Sequence, residues 1–306
     1  MRVGVIGGSG FIGSHIVDKL IEKGHDVTVF DIMKPQRPDV NHIVIDIIDI
    51  SKTTIALAGG YDVIYMLAAM ADVNDVFNNP IEATEINIMG VANVLEAARR
   101  NHIKRVIFSS TIWVYEMAGV ENVSEDTYFS PVNVKHVYTA SKLAAEMYLF
   151  AFQKLYGINF TILRYGIPYG PRARGGTVAA IFVKKAFSKE PLTINGDGLQ
   201  YRNFIYVEDL AEGNVAALNE IAINKIYNIE GLRPISVKEV ADTVKKIIGG
   251  DVKIVYTPAR PGDFSGKIVS RERAKQELGW EPKIDFEEGL KRYIKWYKEL
   301  NKITER

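Results

Sequence analysis

Arg2-Val3-Gly4-Val5-Ile6-Gly7-Gly8-Ser9-Gly10-Phe11-Ile12-Gly13 opens the chain with a short apolar run that turns through glycines into a helical pattern. Through about Lys23, Ile12, Ile16, Leu20 and Ile21 return to one side of that helix. From Gly8 the glycines read GxGxxG, and from Gly7 they read GxxGxxG. In a dinucleotide-binding turn such glycines let the backbone approach a pyrophosphate that rests on the helix N-terminus. A lone glycine fingerprint is weak, but this one sits between a strand and a helix, as the motif demands.

The next strand, residues 26–30, ends at Asp31, 18 residues after Gly13. A carboxylate there receives the adenosine ribose hydroxyls and repels a 2′-phosphate, which predicts NAD rather than NADP. The bland alternative is an ordinary turn aspartate. Further apolar runs follow at residues 42–45, 63–67, 106–108 and 160–163, separated by helical stretches near 80–101 and 138–156. Alternating strands and helices of this length predict an α/β fold with a doubly wound parallel sheet. Its ligands are expected at the carboxyl ends of the strands.

Composition narrows the function. The chain has 306 residues, 47% of them hydrophobic, enough for one large domain or two modest ones. Its 38 basic residues nearly balance 37 acidic ones, so the net charge of +1 offers no footprint for nucleic acid or an anionic membrane, and a small ligand is expected instead. The absence of cysteine excludes disulfides, thiolate nucleophiles and zinc–thiolate sites. His15, His25, His42, His102 and His136 show no ligand spacing, and no metal is expected. No apolar run approaches ~20 residues, and the chain leaves no room for a signal peptide before its first strand, so a cytoplasmic protein without a membrane span is expected.

The chemistry-bearing residues fall at the strand ends. The fourth strand runs into Leu67-Ala68-Ala69, small residues that let a cofactor pass close, and the fifth ends in Ser109-Ser110-Thr111, hydroxyls placed to hold a substrate oxygen. Next comes Tyr138-Thr139-Ala140-Ser141-Lys142. Four residues apart on a helix, Tyr138 and Lys142 share a face, and a cation beside a phenol favours phenolate, so the pair is expected to make Tyr138 an acid–base group. By itself the spacing fits a solvated helix face equally well. The sixth strand ends in Arg164-Tyr165-Gly166 and a loop, Pro168-Tyr169-Gly170-Pro171-Arg172.

With these motifs the chain resembles the extended short-chain dehydrogenase/reductases, and within them the NAD-dependent nucleotide-sugar epimerases and dehydratases. The resemblance spans nearly the whole chain and adds Asn87, Gly90-Val91-Ala92-Asn93-Val94-Leu95-Glu96-Ala97-Ala98, Val114-Tyr115, Gly196-Asp197-Gly198, Arg202-Asn203-Phe204-Ile205-Tyr206-Val207-Glu208-Asp209, Arg260-Pro261-Gly262-Asp263 and Leu278-Gly279-Trp280-Glu281-Pro282. It implies a Rossmann domain over 1–165, with 204–229 returning to it, and a smaller α/β substrate-binding domain built from 166–203 and 230–306. The strands expected to return to the sheet are 204–207 and 226–229. It implies Tyr138 as base, Lys142 on the ribose and Thr111 completing the proton path, with Ser110 as the alternative to Thr111. The NAD contacts it implies are Gly7, Gly10, Phe11, Ile12, Gly13, Asp31, Ile32, Asp46, Ile47, Leu67, Ala68, Ala69, Asn87, Ser109, Tyr138, Lys142 and Tyr165. For the nucleotide sugar it implies Thr111, Tyr138, Val178, Leu192, Ile194, Arg202, Arg260 and Asp263, the arginines clamping the diphosphate bidentately. The resemblance also implies a homodimer formed by the helices at 80–101 and 138–156.

Departures from the family pattern bear on the reaction. Dehydratases, and usually uronate decarboxylases, carry acidic groups just after the strand-five hydroxyl, where this chain has Ile112 and Trp113. Without them, oxidation and reduction of one carbon from its two faces is the simplest chemistry, which points to an epimerase acting at C4 of a UDP-hexose such as UDP-glucose or UDP-galactose. Trp113 is read either as a wall for the sugar or as filler at the core edge. Gly166-Ile167 stands where Phe-Asn is common, Glu116 where glycine is usual, and Lys135-His136-Val137 precedes Tyr138. Rival readings are a reductase or dehydratase of the same fold and a non-catalytic NAD-sensing or RNA-binding member.

Overall fold

The computed structural model describes residues 1–173, 175–259 and 266–303. Its centre is a seven-stranded, all-parallel sheet. Strand β1 (Arg2–Ile6) leads through the glycine turn into helix α1 (Phe11–Glu22), and β2 (Asp26–Asp31) and β3 (Asn41–Val44) add on one side. The chain then crosses over, and β4 (Val63–Met66), β5 (Arg105–Thr111), Asn159–Tyr165 and Lys225–Ile229 build outward on the other side of β1. The reversal between β1 and β4 opens the crevice in which a doubly wound sheet takes its ligand.

Successive side chains of a strand leave opposite faces, and here both faces are covered. Val3, Val5, Val29, Tyr65, Ile107 and Leu163 pack on one face with Ile16 and Leu20 of α1 and Leu210 of the helix Val207–Ala216. Ile6, Phe30, Ile64, Met66, Phe108 and Ile162 take the other, under Val94 and Leu95 of Gly90–Arg100 and Leu149 of Val137–Tyr156. A third core lies apart from the sheet, where Phe182, Leu192, Ile194, Val240, Leu290 and Tyr293 surround Tyr169, Phe204 and Tyr206.

Two expectations change. The helical stretch at 80–101 is interrupted by a π-turn at Glu85–Met89, which carries Asn87 inward. Of the two strands expected to return to the central sheet, Lys225–Ile229 does so, beside Asn159–Tyr165. Phe204–Tyr206 pairs instead with Ile167–Tyr169 in a two-stranded sheet, because its Phe204 and Tyr206 side chains belong to the third core. Among the described residues no helix is long and apolar enough to cross a membrane, and no group of three His, Cys, Asp or Glu could hold a metal ion.

A buried ion pair ties the layers together. Glu146, fully buried in the helix Val137–Tyr156, accepts from Arg164 Nη2 at 2.7 Å and Nε at 3.0 Å and from the Ser110 hydroxyl at 2.5 Å. Arg164 continues to the Tyr115 hydroxyl at 3.0 Å, and Tyr115 donates to Asn228 at 2.7 Å. Removing one partner strands the other charge without water. Arg164→Ala is therefore expected to cost about 3–5 kcal/mol of stability in denaturant unfolding, and an unchanged unfolding midpoint would deny the pair this role.

Candidate active site

At the crevice, backbone meets backbone. Gly7 has φ +84°, and a Cβ on it would lie 2.6 Å from the Ala68 nitrogen; one on Gly13 would lie 2.1 Å from the Gly7 carbonyl oxygen. Gly10 caps α1 without a side chain, so the helix presents its first amides to the crevice. Asp31 closes the far side of the turn, accepting from Ser9 N–H at 2.9 Å and Met33 N–H at 3.0 Å. Beside it Ile32 is exposed, while Ile47 is buried beneath Gly90 and Asp46 accepts the Ile48 N–H at 3.1 Å. Phe11, Ile12, Leu67, Ala68 and Ala69 are half-buried along the same opening. A cradle that any Cβ would fill, a helix N-terminus facing it and a carboxylate at the end of β2 together fit a dinucleotide without a 2′-phosphate.

Tyr138 and Lys142 stand in the first turns of Val137–Tyr156, at the carboxyl end of β5. Lys142 is buried and donates to the Ser109 carbonyl at 2.8 Å, with its nitrogen 6.0 Å from the Tyr138 ring centroid. Burial pushes the Lys142 ammonium down to about 7, against Glu146, and pushes the Tyr138 phenol up to about 12. The shift of the phenol comes from burial, with no opposing contribution from Lys142 at this separation.

The two strand-five hydroxyls separate cleanly. Ser110 is spent on Glu146, whereas Thr111 accepts from Trp113 N–H at 3.2 Å and donates to nothing among the described residues, which favours Thr111 over Ser110. Asn87 is fully engaged by protein: it grips both backbone groups of Met70, at 2.8 and 2.9 Å, and its second N–H reaches the Ser141 hydroxyl at 3.1 Å. It therefore pins the loop after β4 to the Tyr138 helix. Tyr165, expected at the cofactor, gives its hydroxyl to Asn214 at 2.5 Å.

Next to Trp113 lies a small cavity, with room for about one water molecule, lined by Ile112, Trp113, Ile167, Tyr201, Arg202, Asn203 and Lys267. Ile112, Trp113 and Ile167, all positions where the chain departs from its family pattern, thus line one space. Trp113 stands edge-on to Tyr138 at 6.5 Å between ring centroids and packs on His136 at 5.5 Å, so it both lines the cavity and packs on the core beneath it, which holds Val114, Tyr115 and Leu143. His136 in turn sits 3.7 Å from Glu116, whose side chain is buried. Arg202 and Lys267 line the same space.

Not every expected substrate contact reaches this cavity. Leu192 and Ile194 are wholly buried in the third core, since the period-two pattern of Leu192–Asn195 turns Thr193 and Asn195 outward instead. Val178, in the first turn of Val178–Phe187, packs on the same core. Arg260 and Asp263 lie outside the described residues. Conversely, Tyr201, Asn203 and Lys267 line the cavity without having been singled out. Two of them flank Arg202 in its motif, but nothing in the sequence marks Lys267, which is held there by the Ala118 and Val120 carbonyls.

Adding a Cβ at Gly13 would push the helix off its turn. Gly13→Ala is expected to weaken NAD about 10- to 100-fold in a calorimetric titration while the protein stays folded; unchanged affinity would move the dinucleotide elsewhere.

Known proteins with this geometry are numerous. The model of the NAD dependent epimerase/dehydratase family matches residues 3–229. The chain is 33% identical to the UDP-N-acetyl-alpha-D-glucosaminuronate decarboxylase of Bacillus cytotoxicus, covering 97% of each protein. Among solved structures, the UDP-glucose 4-epimerase of Thermotoga maritima with UDP-glucose superposes with a TM-score of 0.91 at 33% identity, over 98% of this chain and 100% of that one. The UDP-glucuronic acid 4-epimerase of Bacillus cereus, solved with UDP-glucuronic acid and NAD, gives 0.88 at 29% identity, over 98% of this chain and 100% of that one. The glycine cradle, the Tyr138–Lys142 helix and these likenesses agree: the chain belongs to the NAD-dependent epimerase/dehydratase family of nucleotide-sugar enzymes.

Proposed function

We propose that this chain is a nucleotide-sugar 4-epimerase acting on a UDP-hexose, most simply interconverting UDP-glucose and UDP-galactose with tightly held NAD. The observation that carries it is the cavity beside Trp113. On the turn after Thr111, the positions facing that space are Ile112 and Trp113, so no carboxylate there can remove a proton for elimination or assist loss of CO2. Glu116, the carboxylate of the same turn, is directed at His136 and at Lys135 N–H. Ile112, Trp113 and Ile167 offer apolar surface to a pyranose face, and Arg202 among them offers a guanidinium to a diphosphate.

In this mechanism Tyr138 takes the proton from the sugar 4-hydroxyl and later returns it, and Thr111 donates to the same oxygen. NAD, when bound, supplies a hydride acceptor that gives the hydride back, and a positive charge beside the phenol. Lys142, fixed by Ser109 carbonyl, holds the cofactor ribose and adds a second charge when protonated. Between the two transfers the 4-keto sugar turns over against Trp113. Residues 1–165 with 225–229 would serve the cofactor, and 166–203 with 230–306 the sugar nucleotide.

We also propose a homodimer, supported by exposed apolar side chains on the two helices expected to pair: Ile81, Met89, Met147 and Tyr148. Light scattering should give twice 34.2 kDa, and a 34.2 kDa particle would remove that proposal.

Proton NMR of UDP-galactose with the protein and trace NAD tests the reaction. UDP-glucose should appear without net NADH, and Tyr138→Phe should slow it about a thousandfold while still binding NAD. Net consumption of reduced cofactor would point to the reductase alternative and a product lighter by one water to the dehydratase; undiminished turnover in the variant would remove Tyr138 from the chemistry.

A further inference from the structure

One buried carboxyl group at the mouth of the sheet is not used by this mechanism. Glu230 follows directly on Lys225–Ile229, the outermost strand on that side, and is 3% exposed. Its Oε2 accepts from Asn203 Nδ2 at 2.5 Å. Asn203 is itself 5% exposed and lines the cavity with Trp113, Arg202 and Lys267. The backbone around the pair is packed without slack. A Cβ on Gly166 would stand 2.6 Å from the Asn203 carbonyl oxygen and 3.3 Å from Glu230 Cβ, and Ile167 N–H donates to that same carbonyl at 2.7 Å.

We infer that Glu230 is a positioning residue of the substrate cavity: by gripping the Asn203 carboxamide nitrogen it turns the amide oxygen toward the ligand, so that binding of a nucleotide diphosphate is coupled to proton uptake at Glu230. The coupling follows from the donor inventory. An ionised carboxylate only accepts, so it holds the amide by one N–H and leaves the amide oxygen for another donor. A protonated carboxyl can donate to the amide oxygen, and the amide then presents N–H instead. A diphosphate oxygen is an acceptor and an anion. It gains from the turned amide and from the loss of a neighbouring negative charge, and the proton is taken from the buffer. This inference rests on the nucleotide-sugar reading of the cavity.

The surroundings allow the proton. Burial pushes the Glu230 carboxyl up to about 8, against the Asn203 hydrogen bond and the Arg271 guanidinium, which stands 3.8 Å away. Glu125, also buried and spent on the Asn228 N–H at 2.8 Å, adds a second carboxyl that opposes ionisation. A ligand that favours the protonated form should therefore bind better below this value than above it.

The test is calorimetry of UDP-glucose binding to the NAD-loaded Tyr138→Phe protein, which binds without turning over, between pH 7 and 9. The diphosphate diester keeps its charge throughout this range. At pH 8, in two buffers of different ionisation enthalpy, net uptake of a fraction of a proton is expected, and Kd should weaken about tenfold from pH 7 to 9. Adding Glu230→Gln should remove the uptake and hold Kd within about twofold across the range. Lys142 and His136 are common to both proteins, so the difference between them belongs to Glu230. Equal pH slopes, or no proton uptake before the substitution, would overturn the role of Glu230 while leaving the nucleotide-sugar reading intact. No binding of UDP-glucose by either protein would overturn both.

Discussion

A carboxylate with no access to water must be surrounded by donors, and that requirement at Glu146 sets the position of the helix that carries Tyr138 and Lys142. Its donors come from two neighbouring strands, Ser110 of β5 and Arg164 of Asn159–Tyr165. The helix carrying Glu146 can therefore sit in one place over the sheet. Two turns earlier on that helix is Tyr138, and one turn earlier is Lys142, which closes on the Ser109 carbonyl. Thr111, the next residue after Ser110, is thereby held in register with both. Such a pair adds little net stability compared with an apolar replacement, so its value lies in fixing geometry.

The same logic of satisfied polar groups explains the second anchor. Asn87, turned inward by a π-turn, uses both amide hydrogens and its oxygen on Met70 and Ser141. It joins the loop after β4 to the Tyr138 helix from the opposite side of the crevice. Glycine supplies the third constraint, where the Gly7 backbone meets Ala68 with no room for a side chain. Between these fixed points the cofactor has its cradle, and the substrate cavity is left to vary. Its side chains are mixed in kind, with Ile112, Trp113 and Ile167 beside Arg202, Asn203 and Lys267.

Burial also acts on the Tyr138–Lys142 pair itself. It raises the phenol and lowers the ammonium, so a positive charge bound beside the two would work against the shift of the phenol.

Much of this was legible in the residues alone. Hydrophobic period and glycine spacing dictate strand, turn and helix, because they act within a dozen residues, and so the doubly wound sheet, the crevice and the NAD site could be read from Gly7–Gly13, Asp31 and the alternation of elements. The nearness of Tyr138, Lys142 and Thr111 was readable because strand ends and one helix face place them. What the tertiary structure alone decided depends on side-chain partners far apart in sequence. Phe204–Tyr206 leaves the central sheet because its aromatics complete another core, and Leu192 and Ile194 vanish into that core although their motif lies next to the nucleotide region. Ser110 loses its candidacy to Glu146, 36 residues away. Lys267 is held at the cavity by the Ala118 and Val120 carbonyls, and Glu230 touches it only through Asn203; no local pattern encodes such contacts.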